Sequence, residues 1–290
     1  MTDLEWTGER LVTSLDLLHG VIEHLHRYAV AKQIVGDKIV LDIASGEGYG
    51  SFLLSKNAKK VFGVDINQES IEHAKTKYKN ADNLEYLCGS TSKIPLPDNS
   101  VDVVVSFETI EHHNEHDLMM LEILRVLKED GCLLLSSPER DIYRQREPHN
   151  PFHIKELSLD ELRSLVKKYF KYDHFFSQKF IIGSLIHSFS SDMLSGFKMF
   201  DGNYTTIYEG LNEDDFYNKD CFNLVICSNA DLTKYKLPGA SLFNGVDVIK
   251  KEMNDLKDQI QNAKNEKQKV LNSKSYKLGN WLVRKFTFRK

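Results

Sequence analysis

Short apolar runs alternate with amphipathic segments through the first half of the chain. The run at residues 38–43 is continuous and ends in turn residues, as expected for a strand that is buried on both faces. Further strands are predicted at 60–65, 84–88, 101–107 and 132–136, with helices at 49–57, 69–79 and 117–128. Because strands and helices take turns, we predict an α/β fold with a doubly wound, Rossmann-like, mainly parallel sheet and helices on both faces.

The chain beyond residue 137 is less regular. Ser158 and Glu161 have the spacing of a capping box, which predicts a helix that runs to about Tyr169. Aromatic residues, Ser, Gly and Met at about 180–219 indicate an insertion before a last strand at 222–227. We therefore divide the chain into an N-terminal helical cap at 1–36, a main domain at 37–230, a coiled-coil helix at 245–272 and a basic-aromatic tail at 273–290.

The predicted coiled coil rests on an apolar stripe with alternate spacings of three and four. Its members are Val246, Ile249, Met253, Leu256, Ile260, Ala263, Lys267 and Val270. This a/d pattern predicts a homo-oligomer, and a single helix lying on the domain is the alternative, since Lys267 weakens the last heptad. The tail from 274 carries basic and aromatic residues without an acid, which suits an anionic membrane surface or a protein partner.

Composition narrows the class of protein. The chain is 41% hydrophobic and 28% charged, which is typical of a globular protein. A net charge of -4 creates no general field for nucleic acid, so we expect no nucleic-acid partner. The N-terminus lacks the pattern of a signal peptide, and no long apolar run follows. We expect a cytoplasmic protein, peripheral to the inner face of the membrane if the tail binds there.

A loop of small residues after the first strand is the first candidate for chemistry. Gly46 and Gly48 let a ligand approach the backbone at the start of the next helix. The loop has GxG without the third glycine of a dinucleotide fingerprint. Asp42 repels a pyrophosphate and favours a cationic ligand such as a sulfonium. Asp65, after the second strand, is placed to accept the hydroxyls of a ribose, as either kind of nucleoside requires.

Four segments, LDIASGEG, GVDI, VDVVVSFETIEH and RVLKEDGCLLLSSP, resemble class I S-adenosylmethionine-dependent methyltransferases. The resemblance spans about residues 23–178 and implies an enzyme whose cofactor is S-adenosyl-L-methionine. A narrower set, EHLHRYAVAK, SGEGYGSFLL, VSFETIEHH and NPFHIKELS, is similar to methyltransferases of bacterial surface polysaccharide and O-antigen synthesis. That likeness implies a sugar or glycan acceptor, and it adds a glycosyltransferase to the partners expected for the tail.

The resemblance also implies which residues contact the cofactor. Arg27 and Tyr28 would contact the methionine part from the helix before the first strand, and a surface ion pair between Arg27 and Glu23 is the alternative. Asp65 would bind the ribose and Ile66 would flank the adenine. The other implied contacts come from the loops and strand ends: Asp42, Ala44, Gly46, Gly48, Ser90, Thr91, Ser106, Phe107 and Glu108.

Histidines near the end of the fourth strand are the candidates for catalysis. A hydroxyl acceptor needs a base, and we assign this role to His112, oriented by Glu111, with a helix cap or surface residue as the alternative. His153 is a second candidate, because its segment should close over the pocket. His112, His113 and His116 have helical spacing for a metal ion, but no carboxylate pair joins them and we predict no metal ligands.

Two other functions agree with the same residues. One is O- or N-methylation of a small molecule. The other is a cofactor-binding scaffold that recruits partners through residues 245–290 and transfers no methyl group.

Overall fold

The computed structural model describes residues 18–181, 198–202, 207–210, 219–235 and 237–287. The chain divides into two compact units, Met1–Phe243 and Asn244–Lys290, and each is described by itself. Most of the predicted insertion at 180–219 and the end of the basic-aromatic tail lie outside the described residues.

The first unit contains six helices and nine strands within its described part. The helices are α1 (Leu18–Lys32), α2 (Tyr49–Ser55), α3 (Gln68–Lys77), α4 (His116–Val126), α5 (Arg140–Arg146) and α6 (Leu159–Tyr169). The strands are β1 (Ile39–Ile43), β2 (Lys60–Asp65), β3 (Leu84–Cys88), β4 (Val101–Phe107), β5 (Leu127–Pro138), β6 (Tyr172–Gln178), β7 (Phe200–Gly202), β8 (Ile207–Glu209) and β9 (Phe222–Ser228). The second unit contains α7 (Val246–Asn272) and α8 (Lys274–Thr287).

Seven strands form one sheet in the order β3-β2-β1-β4-β5-β9-β6. The first five are parallel neighbours, and β9 runs antiparallel to both β5 and β6. The predicted Rossmann-like, mainly parallel sheet is confirmed. The strand order reverses between β1 and β4, and this reversal opens a crevice at the carboxyl ends of the strands. We did not predict β6, because it is a half-exposed edge strand with no continuous apolar run.

The continuous apolar run of β1 is explained by burial on both faces of the sheet. Leu41 and Ile43 pack in a core with residues of α4 and α6. Val40 points to the opposite face, where α1 and α2 cover it. Side chains alternate between faces along a strand, so Asp42 shares the face of Val40.

Local signals fixed several element boundaries. The capping box at Ser158 and Glu161 is present and begins α6, which ends at Tyr169 as predicted. Gly50, the second residue of α2, packs against Tyr28, and a Cβ atom at this position would overlap the tyrosine ring. Cys132, Cys221 and Cys227 are buried and Cys88 is exposed, and all four are free thiols. Within the described residues, no helix has both the length and the apolar character needed to cross a membrane.

We predict that Gly48→Ala destabilises the first unit by roughly 2 kcal/mol or more. Gly48 has φ of 88°, and a Cβ atom there would lie 2.5 Å from the Tyr86 hydroxyl. That hydroxyl now donates to the Gly48 carbonyl oxygen at 2.7 Å. Urea unfolding measures the change in free energy. Gly36→Ala is the control, because a Cβ atom at Gly36 meets nothing within 4 Å; equal stability of the two variants would contradict the prediction.

Candidate active site

The crevice holds a cavity of about 1060 Å³, formed by the loops after β1, β2, β3 and β4 together with α1 and α5. Pockets for one ligand commonly measure about 300–1,000 Å³, so this cavity has room for a nucleoside and a second molecule. Thirteen of the predicted site residues line it: Arg27, Tyr28, Ala44, Gly46, Asp65, Ile66, Ser90, Thr91, Phe107, Glu108, Glu111, His112 and His153. Asp42, Gly48 and Ser106 do not.

Asp65 lines the cavity and joins the loop after β1 to the loop after β2. One carboxylate oxygen accepts a hydrogen bond from the Gly46 backbone N–H and the other accepts one from the Asn67 N–H, each at 2.8 Å. The glycine loop supplies the backbone shape for this contact, because Ala44 and Gly46 have φ of 60° and 54°. A left-handed alanine is strained, and such strain is concentrated at binding sites.

Asp42 lies beside the cavity and does not face it, contrary to our expectation. Its side chain is on the sheet face that α1 and α2 cover, and the residue is only 1% exposed. Its carboxylate accepts hydrogen bonds from Ser51 Oγ at 2.6 Å and from the Tyr28 hydroxyl at 3.2 Å. Burial raises the pKa of Asp42 to about 7. Asp42 therefore positions Tyr28, which does line the cavity.

Gly48 and Ser106 are the other two predicted contact residues that do not line the cavity, and both belong to the framework around it. Gly48 caps α2 against Tyr86, where a side chain has no room. Ser106 is fully buried in β4, while Phe107 and Glu108 beyond it reach the cavity. Glu108 has φ of 50° and accepts a hydrogen bond from Ser136 Oγ at 2.6 Å. The end of β4, and not Ser106, thus supplies the floor.

Arg27 belongs to a buried charged cluster. It is 2% exposed, donates to Gln178 Oε1 at 2.9 Å, and lies 3.6 Å from a Glu108 carboxylate oxygen. Its guanidinium also stands 4.8 Å from the centre of the Phe222 ring. The alternative of a surface ion pair with Glu23 is wrong, because both side chains are buried.

Glu23 was not among our predicted site residues. It lines the cavity at 3% exposure, with one carboxylate oxygen 3.5 Å from Arg146 Nη1. Burial raises the pKa of the Glu23 carboxyl to about 7, and the positive charge of Arg27 offsets part of this rise. Other lining residues that we did not predict as site residues are Tyr143, Arg146, Glu147, Asn150 and Phe222. They come from the irregular segment after β5 and from β9. Of these five, only Asn150 belongs to a quoted motif, NPFHIKELS.

The loop that contains His153 packs against the segment that follows β4. The backbone N–H groups of Ile154 and Lys155 both donate to the Glu111 carbonyl oxygen, at 2.8 and 3.0 Å. The rings of His112 and His153 consequently meet edge to face, with centroids 5.1 Å apart. Burial lowers the pKa of His112. Both predicted histidines and Glu111 therefore occupy one wall of the cavity.

The three histidines with helical spacing do not converge. His116 Nε2 donates to the His113 carbonyl oxygen at 2.8 Å, and His113 Nε2 lies 3.4 Å from Thr91 Oγ1. A different set comes together, since Glu111, His112 and His153 each place one possible ligand atom within 4.8 Å of the others.

Part of this chain is similar to known S-adenosylmethionine-dependent methyltransferases. Residues 41–135 match the family model described as a methyltransferase domain. The matched segment begins in β1, contains the glycine loop and Asp65, and ends in β5. S-adenosyl-L-methionine is the cofactor of this class.

Individual relatives agree with this class. A probable S-adenosylmethionine-dependent methyltransferase of Mycobacterium tuberculosis is 36% identical over 169 residues, which cover 56% of this chain and 60% of the relative. A fatty-acid O-methyltransferase of Mycolicibacterium smegmatis is 28% identical over 131 residues, covering 41% and 47%. The protein PH0226 of Pyrococcus horikoshii has a similar fold, with a TM-score of 0.54 and 19% identity over 77% of this chain and 95% of that one. The chain thus spans less than two thirds of these two curated relatives.

We predict that Asp42→Asn changes how stability depends on pH. The pKa of Asp42 is raised from 3.8 to about 7, so the folded protein binds this proton more tightly than the unfolded chain does. Ionising Asp42 therefore costs stability as the pH rises through this range, and asparagine removes that cost. The free energy of unfolding of the variant, relative to the original protein, should be higher at about pH 8 than at about pH 5.

Urea unfolding at both pH values checks this expectation. The difference between their free energies of unfolding is compared, because the raised pKa of Glu23 contributes the same pH dependence to both proteins. A difference that is independent of pH would show that the Asp42 carboxyl does not titrate in this range.

Proposed function

We propose that this protein is an S-adenosylmethionine-dependent methyltransferase. The observation that carries the proposal is the joining of the glycine loop and the end of β2 by the Asp65 carboxylate at the edge of the cavity. A ribose can donate its two hydroxyls to the same carboxylate while the backbone hydrogen bonds remain, because two carboxylate oxygens offer about four acceptor sites. Ile66 is 75% exposed and offers an apolar surface to the adenine ring.

Methyl transfer from a sulfonium is an in-line displacement, in which the enzyme holds the acceptor atom close to the methyl group and excludes water. The cavity continues beyond the nucleoside contacts to α1, α5 and the loop that carries His153. We place the acceptor in this second part, because its walls come from elements outside the nucleoside-binding loops.

We propose a sugar or glycan hydroxyl as the acceptor, as in surface polysaccharide synthesis. The acceptor side carries Glu108, Arg146, Glu147 and Asn150, which can donate and accept hydrogen bonds to several hydroxyls. Tyr143 adds an aromatic face. A fatty acyl chain, taken from the name of one relative, could form no hydrogen bonds with these polar side chains, so it fits this wall less well than a sugar does.

His112 is our proposed residue next to the acceptor hydroxyl, with Glu111 and His153 beside it. These three residues form one wall of the cavity. Glu111 and His112 lie in the segment after β4, and His153 lies in the segment after β5. Hydroxyl acceptors require assistance with proton removal, whereas many nitrogen acceptors do not. The presence of this wall therefore favours O-methylation.

The test has a binding part and a turnover part. Asp65→Ala should weaken binding of S-adenosylhomocysteine about 10- to 100-fold in calorimetry, since hydrogen bonds to a charged group are lost. Asp82→Ala is the matched control, because Asp82 is exposed and lies away from the cavity. Failure of the unaltered protein to bind S-adenosylhomocysteine would overturn the proposal.

Turnover with isotopically labelled methyl donor then separates the acceptors. Methylation of saccharides is the expected result. Methylation only of non-sugar small molecules would support the second enzyme hypothesis. Binding of the nucleoside without turnover on any acceptor would support the scaffold.

We also propose that α7 pairs with a second copy of itself. Val246, Ile249, Met253, Leu256 and Ile260 lie on one stripe and are 36–57% exposed in the single chain. A helix of 27 residues is long enough for several heptads, and burying such a stripe between two helices stabilises a coiled coil.

Leu256→Asp should dissociate the oligomer, because a charge at a d position is buried without a partner. Light scattering with size-exclusion chromatography measures the molar mass. Asn254→Asp introduces the same charge beside the stripe and should leave the mass unchanged. A monomeric unaltered protein would rule out pairing through α7.

The tail stays a prediction from sequence. In α8, Tyr276, Leu278, Trp281 and Val283 are exposed, and the same helix contains Lys274, Lys277, Arg284 and Lys285. This surface is compatible with an anionic membrane or with a glycosyltransferase partner.

A further inference from the structure

Glu111, His112 and His153 have the composition and spacing of a metal-binding triad. Their possible ligand atoms lie within 4.8 Å of one another. First-row divalent ions hold nitrogen and oxygen ligands at about 2.0–2.2 Å, so the ligand atoms around one ion lie about 3–4 Å apart. Side-chain shifts of less than about 1 Å would close the site. Two imidazoles and one carboxylate are a ligand set that zinc and iron(II) sites use.

Both histidines are already oriented as metal ligands usually are. Nδ1 of His112 donates to the Phe152 carbonyl oxygen at 3.2 Å. Nδ1 of His153 donates to Glu156 Oε1 at 2.8 Å. These contacts fix the orientation of both rings through Nδ1. Metal-bound histidines characteristically hold their second nitrogen in this way.

The supporting carboxylate is itself held. The other Glu156 oxygen accepts a hydrogen bond from Arg144 Nε at 2.7 Å, and Glu156 is only 7% exposed. The two hydrogen bonds from Ile154 and Lys155 to the Glu111 carbonyl oxygen fix the distance between the loops. The ligands are therefore positioned by the fold before any ion arrives, which lowers the cost of binding.

We propose that Glu111, His112 and His153 bind one divalent transition-metal ion at the acceptor side of the cavity. Three protein ligands leave at least one coordination position for the acceptor, as in catalytic zinc sites. The triad lines the same cavity as Asp65 and the glycine loop, so an ion there would share this cavity with the nucleoside.

The catalytic role of this ion rests on the proposed methyl transfer, although its binding does not. An acceptor hydroxyl that coordinates the ion becomes more acidic. Its O–H bond breaks and the proton passes to water. The oxygen then bonds to the methyl carbon as the carbon–sulfur bond of S-adenosylmethionine breaks, and the sulfur keeps the electron pair. The products are the methyl ether, S-adenosylhomocysteine and one proton.

Titration of the purified chain with Co²⁺ tests the site, because the visible absorption of Co²⁺ reports its coordination. One equivalent should bind with saturation and a visible band. Glu111→Gln and His153→Gln should each abolish the band. Glu156→Gln should weaken binding about 10- to 100-fold, since it removes the oriented partner of His153 and no ligand. His149→Gln is the control, because His149 is an exposed histidine of the same segment and should bind Co²⁺ normally.

Urea unfolding of every variant shows that each is folded, and binding of S-adenosylhomocysteine separates the two proposals. Equal Co²⁺ binding by the ligand variants and the His149 control overturns the metal site, and so does the lack of saturable binding by the unaltered chain. If Co²⁺ binds as expected while S-adenosylhomocysteine does not, the metal site stands and the methyltransferase proposal fails.

Discussion

The cavity depends on one carboxylate that two backbone N–H groups share. Asp65 ends β2, and it holds both the glycine loop after β1 and the start of the segment that leads into α3. Two parallel strands bring their carboxyl ends to the same edge, so a single side chain can join both crossovers. The glycine loop keeps its left-handed turns because this contact and the packing of Tyr86 below it compensate for the strain.

The parts of the site that follow from local chemistry were predictable from sequence. The alternation of strands and helices predicted the sheet, strand ends predicted Asp65 and the glycine loop, and the family resemblance implied Ile66 and Glu108. Asp42 was misassigned because the apolar run of β1 is buried on both faces, and such a run does not reveal which face a polar residue takes.

The contacts between residues of the acceptor side could not be predicted from sequence, although His112, Glu111 and His153 were each predicted as site residues. The meeting of His112 and His153 depends on hydrogen bonds between the Glu111 carbonyl and the backbone of a distant loop, and backbone contacts leave no signature in side-chain identity. Arg27, Glu23 and Arg146 similarly form a buried cluster through tertiary packing. Helical spacing suggested a different histidine set, but the short helix ends at His112 and the next helix begins only at His116.

The close approach of Gly50 to Tyr28 couples α2 to the wall of the cavity. Any side chain at residue 50 would push the tyrosine ring off Asp42 and towards the space that a ligand needs. Residues 28 and 50 are therefore expected to covary among homologues. A larger residue at position 50 would be accepted only together with a smaller one at position 28, and such a pair would mark a subfamily with a wider binding site.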